Sequence, residues 1–152
     1  MRLVLDILRT KGDTVWSIDP DNTVYEALQM LAAKEVGALL VIEKNEPIGM
    51  FSERDYAREV VLAGKSSLNT QVREIMTDKV FYVRPEQTLE ECMALMTQNR
   101  IRHLPVMDGA KLAGMISIGD IVKEIISDQH LEIQQLENYV LGRGYSADPL
   151  QN

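Results

Sequence analysis

The sequence predicts an α+β protein made of two tandem β-α-β-β-α units packed together. Two observations carry this. Shifting the chain by 65 residues lays Val15–Leu62 on Val80–Ser127 without a gap. Each copy also shows the same succession of strand-like and helix-start signals. Internal repetition organises the chain before any single element does. Pro20 falls on Pro85, Thr23 on Thr88, Glu26 on Glu91, Leu39 on Leu104 and Val41 on Val106. Gly49-Met50-Phe51-Ser52-Glu53-Arg54-Asp55 falls on Gly114-Met115-Ile116-Ser117-Ile118-Gly119-Asp120. Apolar positions match as well: Trp16 with Phe81, Ile18 with Val83, Leu31 with Met96 and Val36 with Ile101.

Within each copy, Val15–Ile18 and Val80–Val83 read as short strands ended by a proline turn. Thr23-x-x-Glu26 and Thr88-x-x-Glu91 are capping boxes that open amphipathic helices, the first with Val24, Ala27, Leu28 and Leu31 on one face. Ala38–Ile42 and His103–Met107 are apolar enough for strands covered on both sides. Turns at Lys44–Pro47 and Asp108–Lys111 lead to third strands, Ile48–Phe51 and Leu112–Ile116, and second helices start near Asp55 and Asp120. A single unit is too small to bury its own surfaces, so the pair should pack. The expected divisions are residues 1–64 for the first repeat with a leading helix, 65–71 for a linker around Gly64–Asn69, and 72–127 for the second repeat. Residues 128–152 then form a helical extension and flexible tail, with Gly142-Arg143-Gly144 as a terminator.

Bulk properties exclude several functions. The chain has 152 residues and a net charge of −7, and it carries no run of adjacent Lys or Arg, which argues against nucleic-acid binding. No apolar stretch approaches the roughly 20 residues of a membrane helix, and an early charge argues against a secretory signal. One cysteine, Cys92, rules out an internal disulfide framework and fits a reducing cytoplasm. Cys92, His103 and His130 match no compact zinc spacing, so no metal is expected, and Cys92 stands in place of Ala27 on an apolar helix face. The methionines at 30, 93, 96 and 115 read as packing. No nucleophile–base spacing and no Gly-rich phosphate loop nominate an enzyme.

The motif that can carry chemistry is Gly-x-x-Ser-x-x-Asp, present twice at a strand-to-helix junction. Its plain reading is a helix cap, with the serine hydroxyl accepting from a backbone N–H and the acid in the first turn suiting the dipole. Its functional reading uses the same place. Free N–H groups at a helix start attract phosphate, a fixed carboxylate can accept both hydroxyls of a ribose, and Gly49 or Gly114 would let a ligand approach the backbone. The first helix of each repeat uses glutamate at this position and the second uses aspartate, in both copies, which capping alone does not require.

These motifs resemble the cystathionine-β-synthase (CBS) domain, which pairs in tandem as a Bateman module. The resemblance rests on Val72-Arg73-Glu74-Ile75-Met76-Thr77, the Val80–Pro85 strand and turn, Arg100-Ile101-Arg102-His103-Leu104-Pro105-Val106, and Gly114-x-x-Ser117-x-x-Asp120. The first copy matches more loosely, with Asp6-Ile7-Leu8-Arg9-Thr10 at its start, three extra residues before the strand, and Gly37-Ala38-Leu39-Leu40 in place of Arg-His-Leu-Pro. The resemblance covers residues 1 to 127. It implies a pseudo-two-fold pair with two clefts for adenosine-containing ligands: AMP, ADP, ATP, NAD(H) or S-adenosylmethionine. Carried over by position, Asp55 and Asp120 would hold the riboses with help from Ser52 and Ser117. Arg54 and Arg58 in the first copy, Arg102 and His103 in the second, and Thr77 would contact phosphate or base. Such a module would regulate a partner protein and perform no reaction of its own. The plain reading of these residues is a solvated helix face for the arginines and a strand-entry histidine at 103.

Beyond the repeat, Val122, Ile126, Ile133, Leu136 and Val140 fall near a four-then-three spacing, so the last helix should continue to about Val140. Its apolar stripe is expected to form a homodimer contact.

Overall fold

The computed structural model describes residues Arg2–Leu141; the expected terminator at Gly142–Gly144 and the tail lie outside them. The order of elements is α1 (Val4–Lys11), β1 (Ser17–Ile18), α2 (Val24–Lys34), β2 (Ala38–Glu43), β3 (Glu46–Ser52) and α3 (Glu53–Asp55), which runs on as a π-helical segment, Tyr56–Val61. Then come α4 (Val72–Ile75), α5 (Leu89–Asn99), β4 (His103–Asp108), β5 (Lys111–Ser117) and α6 (Ile118–Val140). The last helix ends where the apolar spacing placed its end.

Each half is a small sheet with helices against it. In the first, β1 runs parallel to β2, and β2 is antiparallel to β3; in the second, β4 and β5 are antiparallel. Both hairpins slip register at the same place, Val41/Ile42 and Val106/Met107, so the repeat extends to the β-bulge. The strand expected at Val80–Val83 is reduced to an isolated parallel bridge, Val83 with Val106. The cause is Pro105. Its counterpart Leu40 donates its N–H to Trp16 at 3.1 Å, and proline has no N–H to give Phe81.

The first capping box forms in full, whereas in the second the Glu91 carboxylate accepts from the Gln87 amide instead of the Thr88 N–H, so that cap is one-sided. The Thr23 hydroxyl accepts from the Glu26 amide at 3.1 Å, and Thr88 does the same for Glu91 at 3.1 Å. Two cores result. One gathers Ile18, Val24, Ala27, Leu31, Phe51 and Val60; the other gathers Val83, Leu89, Cys92, Met96, Ile116 and Ile121. Burial pushes the Cys92 thiol up to about 11, with Glu91 and Glu90 adding to the shift, so it is an unreactive core thiol.

The leading helices are exchanged between the halves. Val4 and Ile7 of α1 are buried in the second core, and Val72 and Ile75 of α4 in the first. Arg2 ties α1 to α6 through Glu124 at 3.3 Å and Asp128 at 3.1 Å. The linker is tied down as well: Thr70 and Ser67 accept the backbone N–H groups of Val24 (2.8 Å) and Tyr25 (3.0 Å) at the start of α2. Each half therefore depends on a helix that the other half's sequence neighbourhood supplies, and the two cannot separate without opening both cores.

Candidate functional site: two clefts at the strand-to-helix junctions

Both Gly-x-x-Ser-x-x-Asp motifs sit where a strand hands over to a helix, β3 to α3 and β5 to α6. Ser52 and Ser117 have extended backbones that end the strand, and each hydroxyl accepts the amide of the aspartate three residues on, at 3.2 and 3.1 Å. The aspartates answer: Oδ2 of Asp55 accepts the Ser52 N–H at 2.9 Å and Oδ2 of Asp120 accepts that of Ser117 at 2.8 Å. The plain capping function is thus fulfilled in both copies.

The glycines serve packing. A Cβ on Gly49 would lie 2.7 Å from Met76 Sδ and 2.9 Å from the Thr77 carbonyl, and one on Gly114 would lie 2.7 Å from Leu8 Cδ2. The space beside each glycine, read from the sequence as room for a ligand, is filled by Met76 and Thr77 directly after α4 at Gly49 and by Leu8 of α1 at Gly114.

Each aspartate lines a cleft. The first, of about 390 Å³, is bounded by Ser52, Arg54, Asp55, Arg58 and Thr77, and reaches Phe81 and Arg102 of the second half. The second, of about 360 Å³, holds Ser117 and Asp120, and reaches Trp16, Glu35 and Gly37 of the first half. Both volumes fall within the range of small-molecule sites. Arg102, assigned by position to the second copy, lines the first cleft, and His103 lines both. The crossing arises because β2 and β4 enter side by side: His103 Cε1 lies 3.6 Å from where a Cβ of Gly37 would be.

The two carboxylates have different neighbours. Oδ1 of Asp55 accepts the Thr77 hydroxyl at 3.2 Å. Oδ2 of Asp120 is held at 2.7 Å by the Lys11 ammonium, which also donates to the Met115 carbonyl at 2.9 Å. In the first half the matching carbonyl, of Met50, takes the Thr77 backbone N–H at 2.9 Å. One lysine side chain therefore replaces a backbone amide and a threonine hydroxyl. Burial pushes the Asp120 carboxyl up, but Lys11 and the Ser117 amide outweigh it and hold the group below its ordinary value. His103 is held below its ordinary value, first by burial and then by the Lys11 charge, with Asp120 opposing and Arg102 adding to the shift.

Sequence reasoning did not single out Lys11, Lys79, Glu35, Arg100, Trp16 or Phe81 as cleft residues. Lys79 stands 5.2 Å from the Phe81 ring centre and Lys34 4.2 Å from that of Trp16. Trp16 and Phe81 are aligned in the repeat, and that alignment was the available signal. Lys11 carried none, because its contact with Asp120 spans 109 residues. Among the described residues, no group of three or more His, Cys, Asp or Glu can hold a metal, and no helix is long and apolar enough to cross a membrane.

Comparison with known proteins agrees with this geometry. The CBS domain family model matches residues 6–62 and 72–127. The chain is 39% identical over 151 residues to the CBS domain-containing protein CBSX3, mitochondrial, of Arabidopsis thaliana, covering 93% of this chain and 73% of the relative. A putative signal-transduction protein with CBS domains from Burkholderia ambifaria superimposes with a TM-score of 0.81 at 51% identity, over 84% of this chain and 96% of that one. The CBS domain pair of MJ0100, solved with 5′-methylthioadenosine and S-adenosyl-L-methionine, shares the fold at a TM-score of 0.73 and 20% identity, over 84% of this chain and 98% of that one. With two matched repeats, two exchanged cores and a cleft at each strand-to-helix junction, this chain belongs to the CBS domain family as a tandem pair.

Proposed function

We propose that the chain is a regulatory module that binds adenosine-containing ligands, of the AMP, ADP, ATP or NAD(H) class, in its two clefts and signals their level to a partner protein. The observation that carries the reading is a fixed aspartate at a helix start in a cleft rich in basic side chains, clearest in the first cleft, which Asp55 lines together with Arg54, Arg58 and Arg102. A ribose diol suits the carboxylate and a phosphate suits the guanidinium groups. In this reading Ser52 and Ser117 orient the two aspartates, Thr77 joins the ribose side, and His103 lies between the clefts. The MJ0100 pair supplies a precedent for adenosine ligands in this fold and, at its level of identity, nothing about these residues. No reaction is assigned: the hydroxyls of Ser52 and Thr77 donate to Asp55, and in this reading they hold that carboxylate for the ligand.

The module works as a homodimer in this reading. Ile126, Ile133, Leu136 and Val140 of α6 are 58–73% exposed along one helix, an apolar surface that a second copy would cover. The competing reading is a dimerisation module whose Ser-x-x-Asp motifs only cap helices, and the completed caps favour it. Thermal melting with AMP, ATP, NAD(H), GTP and CTP, beside a turnover assay, decides. A rise in Tm with adenine ligands and no turnover supports the sensor, since ligand bound only to the folded state stabilises it. No shift with any of them leaves the capping module, and turnover would show an enzyme.

A further inference from the structure

The two clefts are related by the repeat, yet their charges are not. Three cations of the first cleft map, in the 65-residue register, onto residues that carry no positive charge in the second. Arg54 becomes Gly119, Arg100 becomes Glu35 and Arg102 becomes Gly37. Arg58 and Lys79 add two further cations to the first cleft; the counterpart of Arg58, Lys123, is not part of the second. Arg100 and Glu35 occupy the same left-handed position at the end of α5 and α2, with φ of 54° in both, so the reversal places opposite charges at equivalent points. Among the described residues, Lys11 is the one Lys or Arg lining the second cleft, and Asp120 already neutralises it at 2.7 Å; Lys34 lies outside the lining, over the Trp16 ring at 4.2 Å.

Resting on the adenosine reading above, we propose that the clefts take different ligands. The first accepts a nucleotide with two or more phosphates. The second accepts an adenosine compound with no phosphate, and only when Lys11 leaves Asp120. In the first cleft the ribose seat is shared with a neutral hydroxyl from Thr77 at 3.2 Å, which a ligand hydroxyl can replace without separating charges. In the second, the incoming diol must displace an ammonium from a charge-assisted hydrogen bond, so this cleft fills later. A polyphosphate entering it would meet Glu35 and Asp120, and among the described residues no Lys or Arg of the lining other than the paired Lys11 would answer them. Because Lys11 is the last residue of α1, its release would also be felt by the helix that completes the second core.

Calorimetry with ATP and with adenosine tests this on the full chain, its Asp55→Asn and Asp120→Asn variants, and Lys11→Met. ATP should bind the wild-type chain at one tight site, lost by about tenfold or more in Asp55→Asn and retained in Asp120→Asn. Adenosine should bind Asp55→Asn weakly, and adding Lys11→Met should tighten it by about tenfold or more. If Lys11→Met proves too unstable, Lys11→Gln, which keeps a donor and drops the charge, should give a smaller gain. Equal ATP affinity at both clefts, loss of the ATP site in Asp120→Asn, or weaker adenosine binding when Lys11 is replaced would each overturn the partition while leaving the sensor reading standing. If neither compound binds any of the proteins, the adenosine reading falls and takes this inference with it.

Discussion

Asparagine at position 55 or 120 separates the cap from the ligand anchor. It still accepts a backbone N–H and keeps the helix start, but it loses the charge and one acceptor oxygen that a ribose would use. Each charge-assisted hydrogen bond contributes roughly 1.5–3 kcal/mol, so either variant should lose about tenfold to a thousandfold in affinity at its own cleft. The cost to the unliganded fold should differ. Asp55→Asn gives up at most about 1 kcal/mol of dipole interaction, whereas Asp120→Asn also strands Lys11, so denaturant melts should show the larger loss at 120. Normal binding by both variants would leave these residues as caps. His103 gives a second test at this scale. The fold holds its pKa below the ordinary 6.5, so the unfolded chain takes up a proton that the folded chain refuses. The stability that His103 contributes is complete above 6.5 and is lost as pH falls toward the folded value. Urea melts should therefore show less stability at about pH 5.5 than at pH 7, and His103→Gln should shrink the difference. Since Lys11 is one cause of the shift, Lys11→Met should raise the His103 pKa in an NMR titration; an unchanged value would mean the two side chains do not sense each other.

At the scale of elements, the motif glycines report how the leading helices dock. Gly49→Ala places a methyl 2.9 Å from the Thr77 carbonyl, which is backbone and is held by the Met50–Thr77 bridge. Gly114→Ala crowds the end of the Leu8 side chain, which can turn away, and meets the Asp13 backbone at an ordinary 3.7 Å. Overpacking costs typically about 1–3 kcal/mol, and the Gly49 variant should fall in that range with the Gly114 variant below it. Equal losses in thermal melts would show that Leu8 is as fixed as backbone. A strand signal at Val80–Val83 yields only a bridge for a separate reason: periodicity reported apolar positions correctly, while the ladder was limited by Pro105, the partner without a donor.

Over the whole molecule, exchange of α1 and α4 makes the halves one folding unit, so denaturation should show a single transition by fluorescence and circular dichroism alike. Two separated transitions would mean that each half keeps a core without its borrowed helix. The proposed dimer rests on α6, whose exposed Ile133, Leu136 and Val140 lie beyond the repeat. Light scattering at micromolar concentration should give a dimer mass, and deletion after Gln129 should weaken it. A truncated chain that dimerises as tightly as the intact one would move the interface elsewhere.

The sequence by itself determined the repeat, its threonine helix caps, the buried middle strands, the length of the last helix and the two aspartates at equivalent helix starts. All of these are local patterns, set by side-chain period and by hydrogen bonds within three or four residues. Family resemblance named the ligand class in the same local terms, position by position. Tertiary structure alone decided which residues share a cleft. Arg102 crosses to Asp55, Lys11 reaches Asp120 across 109 residues, and His103 borders both sites. The physical reason is the exchange of leading helices and the side-by-side entry of β2 and β4. Those contacts depend on how two surfaces meet, and no period along one strand or helix records that.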